Sequence, residues 1–240
     1  MARGFMGKIL RVDLTAKSVI TEDVDEKIAR KYLGGKGYGV YLLYQYIKEY
    51  AMRGISVKDM DPLGPENPLV FMTGPGTGIP GFPSSGRHHV MALKSPLTGS
   101  IGSGNSGGTW GATLKFAGFD GVIVEGASDV PVYLSIVDGK AQLRDAGDLW
   151  GKNTFDTTRI LKKAVGQKRA SVMCISTAGE NLVPMAMIMN DDHRALGRAG
   201  VGAIMGSKGL KAIVVAGKEK VPYEKMDEFV PVSKLSLIHI

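Results

Sequence analysis

The stretch Gly99 to Gly126, GSIGSGNSGGTWGATLKFAGFDGVIVEG, returns in diluted form as LGRAGVGAIMGSKGLKAIVVAG. An offset of 91 residues sets Gly111 on Gly202, Ala112 on Ala203, Gly118 on Gly209, Val124 on Val215 and Gly126 on Gly217. Each copy reads as a glycine-rich loop, about two turns of small-residue helix and an apolar strand closed by glycine. A supersecondary unit that occurs twice constrains the chain to a duplicated fold. Two glycine-rich loops also expose backbone N–H groups, which makes a cradle for an anion.

The remaining sequence supplies the elements around these copies. KILRVDLTAKSVITED, Lys8 to Asp23, alternates on both sides of a Thr15–Lys17 turn and predicts a hairpin. Asp25 caps a short helix that Gly34 and Gly35 end. From Tyr38 to Ala51, Val40, Leu43, Tyr44 and Ile47 stand at i, i+3, i+4 and i+7 and predict an amphipathic helix with that stripe facing the core. A strand LVFMTG follows the turn-rich DPLGPENP. The Gly/Pro-rich segment Gly74–Arg87 lies between that strand and HHVMALK, and a loop of this length points to function. Asp138-Gly139 predicts a second hairpin. Asn153 or Thr154 starts a helix that Gly166 ends, and the strands ASVMCIS and PMAMIMN bracket a turn, TAGENLV. About ten strands and five helices, joined mostly by turns, predict an internally duplicated α+β fold with mostly antiparallel sheets and short helices. The pseudo-repeats fall roughly at 68–126 and 170–217. The final LSLIHI, residues 235–240, reads as translated adaptor sequence and is set aside with His239.

Composition narrows the chemistry. A 240-residue chain with 44% hydrophobic residues has enough apolar surface for a sizeable core. No apolar run approaches the ~20 residues of a membrane span, and charges interrupt the N-terminus before a signal-peptide core forms, so a cytoplasmic, non-membrane protein is expected. A formal charge of +7 favours anionic partners. Lys and Arg are dispersed without the aromatic interleaving of a nucleic-acid track, so no nucleic acid is expected. Cys174 is the sole cysteine; it sits in an apolar run and reads as a buried core thiol rather than a nucleophile.

Several motifs compete for the anion. Gly102, Gly104 and Gly107 spell G-x-G-x-x-G, with Glu125 placed where a dinucleotide fingerprint wants its ribose-binding acid. Pro96, Thr98 and Gly99 spoil the strand that should run into the first glycine, so dinucleotide binding remains the alternative reading. Arg87 closes the Gly/Pro loop and Arg194 precedes the second glycine-rich loop, positions that suit bidentate phosphate contact. His88 and His89 are adjacent on a strand and point to opposite faces, so they cannot chelate one ion together. His193, beside Asp191 and Asp192, is a candidate acid–base group, although a structural role suits it better. A non-enzymatic anion-binding module would use the same loops.

Beyond these patterns, longer words carry a resemblance. GRHHVMALKSPLTGSIGSGNSGG, LKFAGFDGVIVEG, AGENLVPMAMIMNDDHRALGRAGVGAIMGSKGLKAI and the opening GKILRVDLT resemble the N-terminal domain of the tungsten-dependent aldehyde:ferredoxin oxidoreductase family, from about Gly7 to Gly217. The resemblance implies a domain over residues 1–217, with 218–234 beginning a connector, on which two pyranopterin-dithiolene ligands hold tungsten or molybdenum. It implies cofactor contacts at Arg87, Asn105, Gly107, Arg194, Ala195 and Gly197, with a Mg²⁺ ion bound through the backbone carbonyls of Asn105 and Ala195. It further implies aldehyde oxidation to the acid, with electrons passing through a [4Fe–4S] cluster to ferredoxin. The cluster's ligands would lie outside this chain. A homodimer or a complex with electron-transfer subunits is also implied, while the isolated segment is expected to be inactive. The run KEYAMRGISVKDM looks longer than the family's usual pattern.

Overall fold

A computed structural model describes residues 3–238; residues 239–240, including His239, lie outside the described residues. Each half of the chain opens with the expected hairpin. Lys8–Asp13 (β1) pairs with Ser18–Asp23 (β2), and Val132–Val137 (β7) pairs with Lys140–Asp145 (β8). Asp138 and Gly139 adopt φ values of 46° and 80°, the two positive angles that a type I′ turn requires.

In the first half, the hairpin is followed by Glu26–Tyr32 (α1), Gly35–Met52 (α2), Leu69–Thr73 (β3), His88–Ala92 (β4), Gly102–Ser106 (β5), Trp110–Phe116 (α3) and Gly121–Glu125 (β6). In the second half, Thr154–Val165 (α4), Ser171–Cys174 (β9), Thr177–Glu180 (α5), Ile188–Asn190 (β10), Arg194–Leu196 (β11), Val201–Ser207 (α6) and Leu210–Ala216 (β12) follow. A last helix, Met226–Ile238 (α7), begins in the stretch expected to be a connector. It lies on the Gly/Pro loop, where Phe229 stacks on Phe82 with centroids 6.3 Å apart.

The two sheets run β2-β1-β6-β3-β4-β5 and β8-β7-β12-β9-β10-β11. Adding six to every strand number in the first gives the second. The duplication therefore reaches back beyond the repeated words to the opening hairpin of each half. Pairing is mostly antiparallel, with one parallel pair at the same place in each sheet, β1 on β6 and β7 on β12. The expected α+β architecture is present as two mixed six-stranded sheets.

Strand alternation sorts the core into layers. Phe71, Val122 and Val124 on one sheet and Met173, Ile213 and Val215 on the other face a shared interior that also takes Trp110 of α3 and Val201 of α6. On the outer faces, Val70, Met72 and Ile123 meet α2, while Val172, Cys174 and Val214 meet α4 through Leu161. Each fully buried side chain of this size contributes ~1.5–3 kcal/mol relative to exposure.

The structure departs from the sequence expectations in five places. Gly102–Ser106, expected as a loop, is a strand in register with β4, with His89 opposite Asn105 and Ala92 opposite Gly102. Glycine's poor strand propensity yields here because the halves meet closely: a Cβ on Gly104 would lie 3.3 Å from Val90 Cγ1 and 3.5 Å from Leu196 Cβ. TAGENLV contains the one-turn helix α5, PMAMIMN contracts to β10, and Arg194–Leu196 forms a strand that periodicity did not announce. Twelve strands and seven α-helices result among the described residues, against about ten and five expected. Finally, α2 starts at Gly35 and turns a different face inward. Tyr38, Leu43, Tyr46 and Tyr50 are buried while Val40 and Tyr44 are exposed. Gly39 decides this rotation, since a Cβ there would lie on the Met91 thioether, so the helix approaches the sheet along its glycine edge.

Candidate functional site

The outermost strands of the two sheets, β5 and β11, each carry one unpaired edge, and they meet at a seam between the halves. A Cβ on Gly102 would sit 3.3 Å from Ala199 Cβ, one on Gly104 3.5 Å from Leu196 Cβ, and one on Gly108 3.3 Å from Arg194 Cγ. Contacts that advance along the first half thus retreat along the second. The two segments pass in opposite directions about a pseudo-two-fold near Gly104 and Leu196, so residues 102–107 face residues 194–202.

At one end of this seam the predicted residues converge. Arg87 leaves the Gly/Pro loop just before β4, and its Nη1 donates to Asn105 Oδ1 at 2.5 Å. Its guanidinium lies beside Gly107, where a Cβ would stand 3.8 Å from Arg87 Nε. From the other half, Asn190 Nδ2 donates to the Gly107 carbonyl at 2.6 Å, and Asn190 is the β-ladder partner of Arg194. Only glycine fits at position 86, because a Cβ there would come within 1.7 Å of the Gly108 carbonyl oxygen. Ala195 is half-buried on β11, and Gly197 is exposed with open space where a side chain would be.

Asp191 is spent on structure. It accepts from Thr109 Oγ1 at 2.8 Å and Ser171 Oγ at 2.6 Å and pairs with Lys162 at 2.8 Å. Burial pushes its carboxyl up, but Lys162 and these hydrogen bonds outweigh it and hold the group below its ordinary range. The carboxylate thereby pins the turn before Arg194 to the start of α3. Asp192 and His193 are exposed.

The corner is electropositive. Arg87 and Arg194 are exposed, and no carboxylate pairs with either of them among the described residues. The α2 helix opens at Gly34 without a side-chain cap, and a Cβ on Gly35 would lie 3.4 Å from His89 Cδ2, which brings uncapped N–H groups toward the same corner. Arg198 was missed in the sequence. With Gly197, Ile101, Ser103 and Met185 it lines a hollow of about 380 Å³ formed by both halves. The signal lay in the repeat, since the 91-residue offset places Arg198 on Gly107.

The remaining candidates fall elsewhere. His88 is fully buried against Trp110, ring centroids 5.0 Å apart, and burial pushes its imidazole down to about 4, so it is neutral. His89 points the other way, as expected, with Nε2 2.8 Å from Asn105 Nδ2. Burial, Lys36 and Arg87 lower its pKa. Cys174 is fully buried behind the second sheet, and burial pushes its thiol up to about 11. Glu125, the acid of the dinucleotide spacing, lies three strands from β5 and is held by Arg11 at 2.8 Å and by Tyr46. The first two glycines of that fingerprint, Gly102 and Gly104, belong to strand β5 and Gly107 follows it directly, which corrects the loop-then-helix reading: the segment is a rung of a β ladder instead of an open phosphate loop. No helix among the described residues is long and apolar enough to cross a membrane.

Comparison with known proteins places the fold. Residues 9–217 match the model of the aldehyde ferredoxin oxidoreductase N-terminal domain. The chain is 48% identical over 229 residues to the tungsten-containing aldehyde ferredoxin oxidoreductase of Pyrococcus horikoshii, covering 95% of this chain and 36% of that protein. It is 35% identical to the WOR-like subunit of the aliphatic sulfonate oxidoreductase of Pyrococcus furiosus, covering 92% of this chain and 36% of that one. Among solved structures, the BamBC active-site complex of benzoyl coenzyme A reductase with 1,5-dienoyl-CoA superposes with a TM-score of 0.91 at 34% identity, covering all of this chain and 35% of that one. The chain thus spans about a third of the length of these relatives. With its duplicated fold and this match over most of its length, the chain belongs to the aldehyde ferredoxin oxidoreductase family, as the N-terminal domain.

Proposed function

We propose that this chain is the cofactor-cradling part of a tungsten-containing bis-pyranopterin oxidoreductase that oxidises aldehydes to carboxylic acids. The observation that carries the reading is the meeting of Arg87 and Arg194, from opposite halves, at the single Gly107–Gly108 corner, with no carboxylate paired to either among the described residues. Guanidinium groups beside accessible backbone suit the phosphate-bearing end of such a ligand. In this reading Arg87, Asn105, Gly107, Arg194, Ala195 and Gly197 hold the cofactor, and the carbonyls of Asn105 and Ala195 supply oxygen to a bridging Mg²⁺. The unpaired edges of β5 and β11 make backbone oxygen available at the seam, and Mg²⁺ favours such hard donors together with phosphates and water.

The protein's share is binding and orientation, and the metal centre, when bound, supplies the redox chemistry. Residues 1–217 form the domain and residues 218–234 begin the connector. Electrons would leave through a [4Fe–4S] cluster outside this chain to ferredoxin. Tungsten is preferred over molybdenum, and aldehydes over other substrates, because the 48%-identical relatives carry those names.

The test is tungsten and pterin content of the intact oxidoreductase that carries this chain. Arg87→Ala and Arg194→Ala should each lower both by about tenfold, as expected when one charged hydrogen bond to the ligand is lost. Full metal and pterin content in both variants would sink the reading.

A further inference from the structure

Asn105 is the only side chain among the described residues that hydrogen-bonds the Arg87 guanidinium, and its own amide is fixed from behind. Its Nδ2 faces two acceptors, the His88 carbonyl at 3.3 Å and His89 Nε2 at 2.8 Å, and its Oδ1 faces the Arg87 guanidinium. An amide turned the other way would set its NH₂ against a guanidinium that can only donate and its oxygen against the His88 carbonyl. One orientation therefore satisfies every contact of the Asn105 amide, while His89 Nδ1 is buried without a hydrogen-bond partner among the described residues. That orientation requires His89 to be neutral, with its lone pair on Nε2 and its proton on Nδ1.

The backbone makes the arrangement rigid. His89 and Asn105 are cross-strand partners in the β4–β5 ladder, so their side chains stand on the same face within direct reach. Gly35, at the opening of α2, lies against the edge of the ring. Arg87 is exposed and, among the described residues, has no carboxylate partner, so Asn105 is what holds its long side chain beside Gly107.

We infer that His89 is a positioning residue for the anion site: through Nε2 it orients the Asn105 amide, and the oriented amide holds Arg87 over Gly107 before the phosphorylated ligand arrives. This inference rests on the cofactor-cradle reading above. Pre-ordering a flexible arginine reduces the entropy lost on binding, so the gain appears as slower ligand release.

The experiment follows pterin release from the intact, cofactor-loaded oxidoreductase, read by fluorescence of the oxidised pterin and by tungsten remaining on the protein. His89→Leu should speed release about fivefold, the size of one modest hydrogen bond. His89→Gln, whose side-chain oxygen can accept from Asn105, should restore slow release. Asn105→Ala is the control for the route: adding His89→Leu to it should change nothing further. Thermal melting of each variant separates positioning from loss of fold, since Asn105 is exposed and its truncation should leave the melting temperature near wild type. Release at the wild-type rate in His89→Leu, no rescue by Gln, or full additivity in the double variant would overturn the inference while Arg87→Ala still loses cofactor. Wild-type release in Arg87→Ala and Arg194→Ala would instead defeat the cradle reading, and this inference with it.

Discussion

Asn190 and Gly107 are 83 residues apart and belong to opposite halves of the chain, yet the Asn190 side-chain amide donates to the Gly107 carbonyl at 2.6 Å. That bond sets the height of the glycine corner against the second sheet. Thr109 to Asp191, Ser95 to the Ala199 carbonyl and Trp110 to the Ile213 carbonyl close the same seam. The two halves are thus tied together directly beneath the place where the arginines meet.

Replacing the fully buried Asn190 by alanine should remove this donor and leave the half-buried Gly107 carbonyl with Ser106 Oγ, at 3.2 Å, as its remaining side-chain partner. The net loss of one such hydrogen bond costs about 0.5–1.5 kcal/mol. In a domain of this size each kcal/mol lowers the melting temperature by about 2–4 °C. Calorimetry on Asn190→Ala checks this; a melting temperature equal to wild type would mean the bond contributes nothing.

A second crosslink lies at the far end of α3. Lys115 is fully buried, donates to the carbonyls of Gly4 and Gly74, the latter at 2.6 Å, and stands 3.5 Å from Asp120. Asp120 in turn accepts from the backbone of Gly7 at 2.6 Å and Met6 at 3.1 Å. Lys115→Met should leave that carboxylate buried without a cation and cost about 3–5 kcal/mol. Lys115→Met combined with Asp120→Asn should lose less than the two single changes together. Urea denaturation of the four proteins measures the coupling, and strict additivity would refute the pair.

Lys208 gives a pH signature. It is fully buried beneath the carbonyls of Gly126 at 2.8 Å and Pro65 at 3.1 Å, and burial pushes its ammonium down to about 8. Between about 8 and its unfolded value of 10.5, the unfolded chain binds the extra proton, so this residue's contribution to stability rises with pH across that window. The span is worth about 3 kcal/mol at most. Unfolding free energies at pH 7.5 and 10 should therefore differ less in Lys208→Met than in wild type, and equal slopes would exclude the effect.

The sequence carried the hairpins, the caps and the duplication, because each depends on neighbours a few residues away. Asp25 and Asn153 do cap their helices, accepting from Ile28 N and Asp156 N. Asp138-Gly139 makes its turn, and His88 and His89 diverge as alternation requires. The words at Arg87, Asn105 and Arg194 were legible through the family resemblance. On the glycine spacing alone, a dinucleotide loop remained the alternative reading.

What the chain could not show by itself were features created by contact between distant segments. Gly102–Ser106 is a strand because β4 and the opposite half enclose it, not because glycine prefers to be extended. The buried face of α2 is chosen by Gly39 against Met91, a close approach to which periodicity is blind. Glu125 and Asp191 look available in sequence and are committed to Arg11 and Lys162 in the fold. Local sequence determined the hairpin turns and helix caps, since these are satisfied within a few residues. Only the tertiary fold decided where two arginines 107 positions apart would meet, since that required two related sheets to bring their edge strands together.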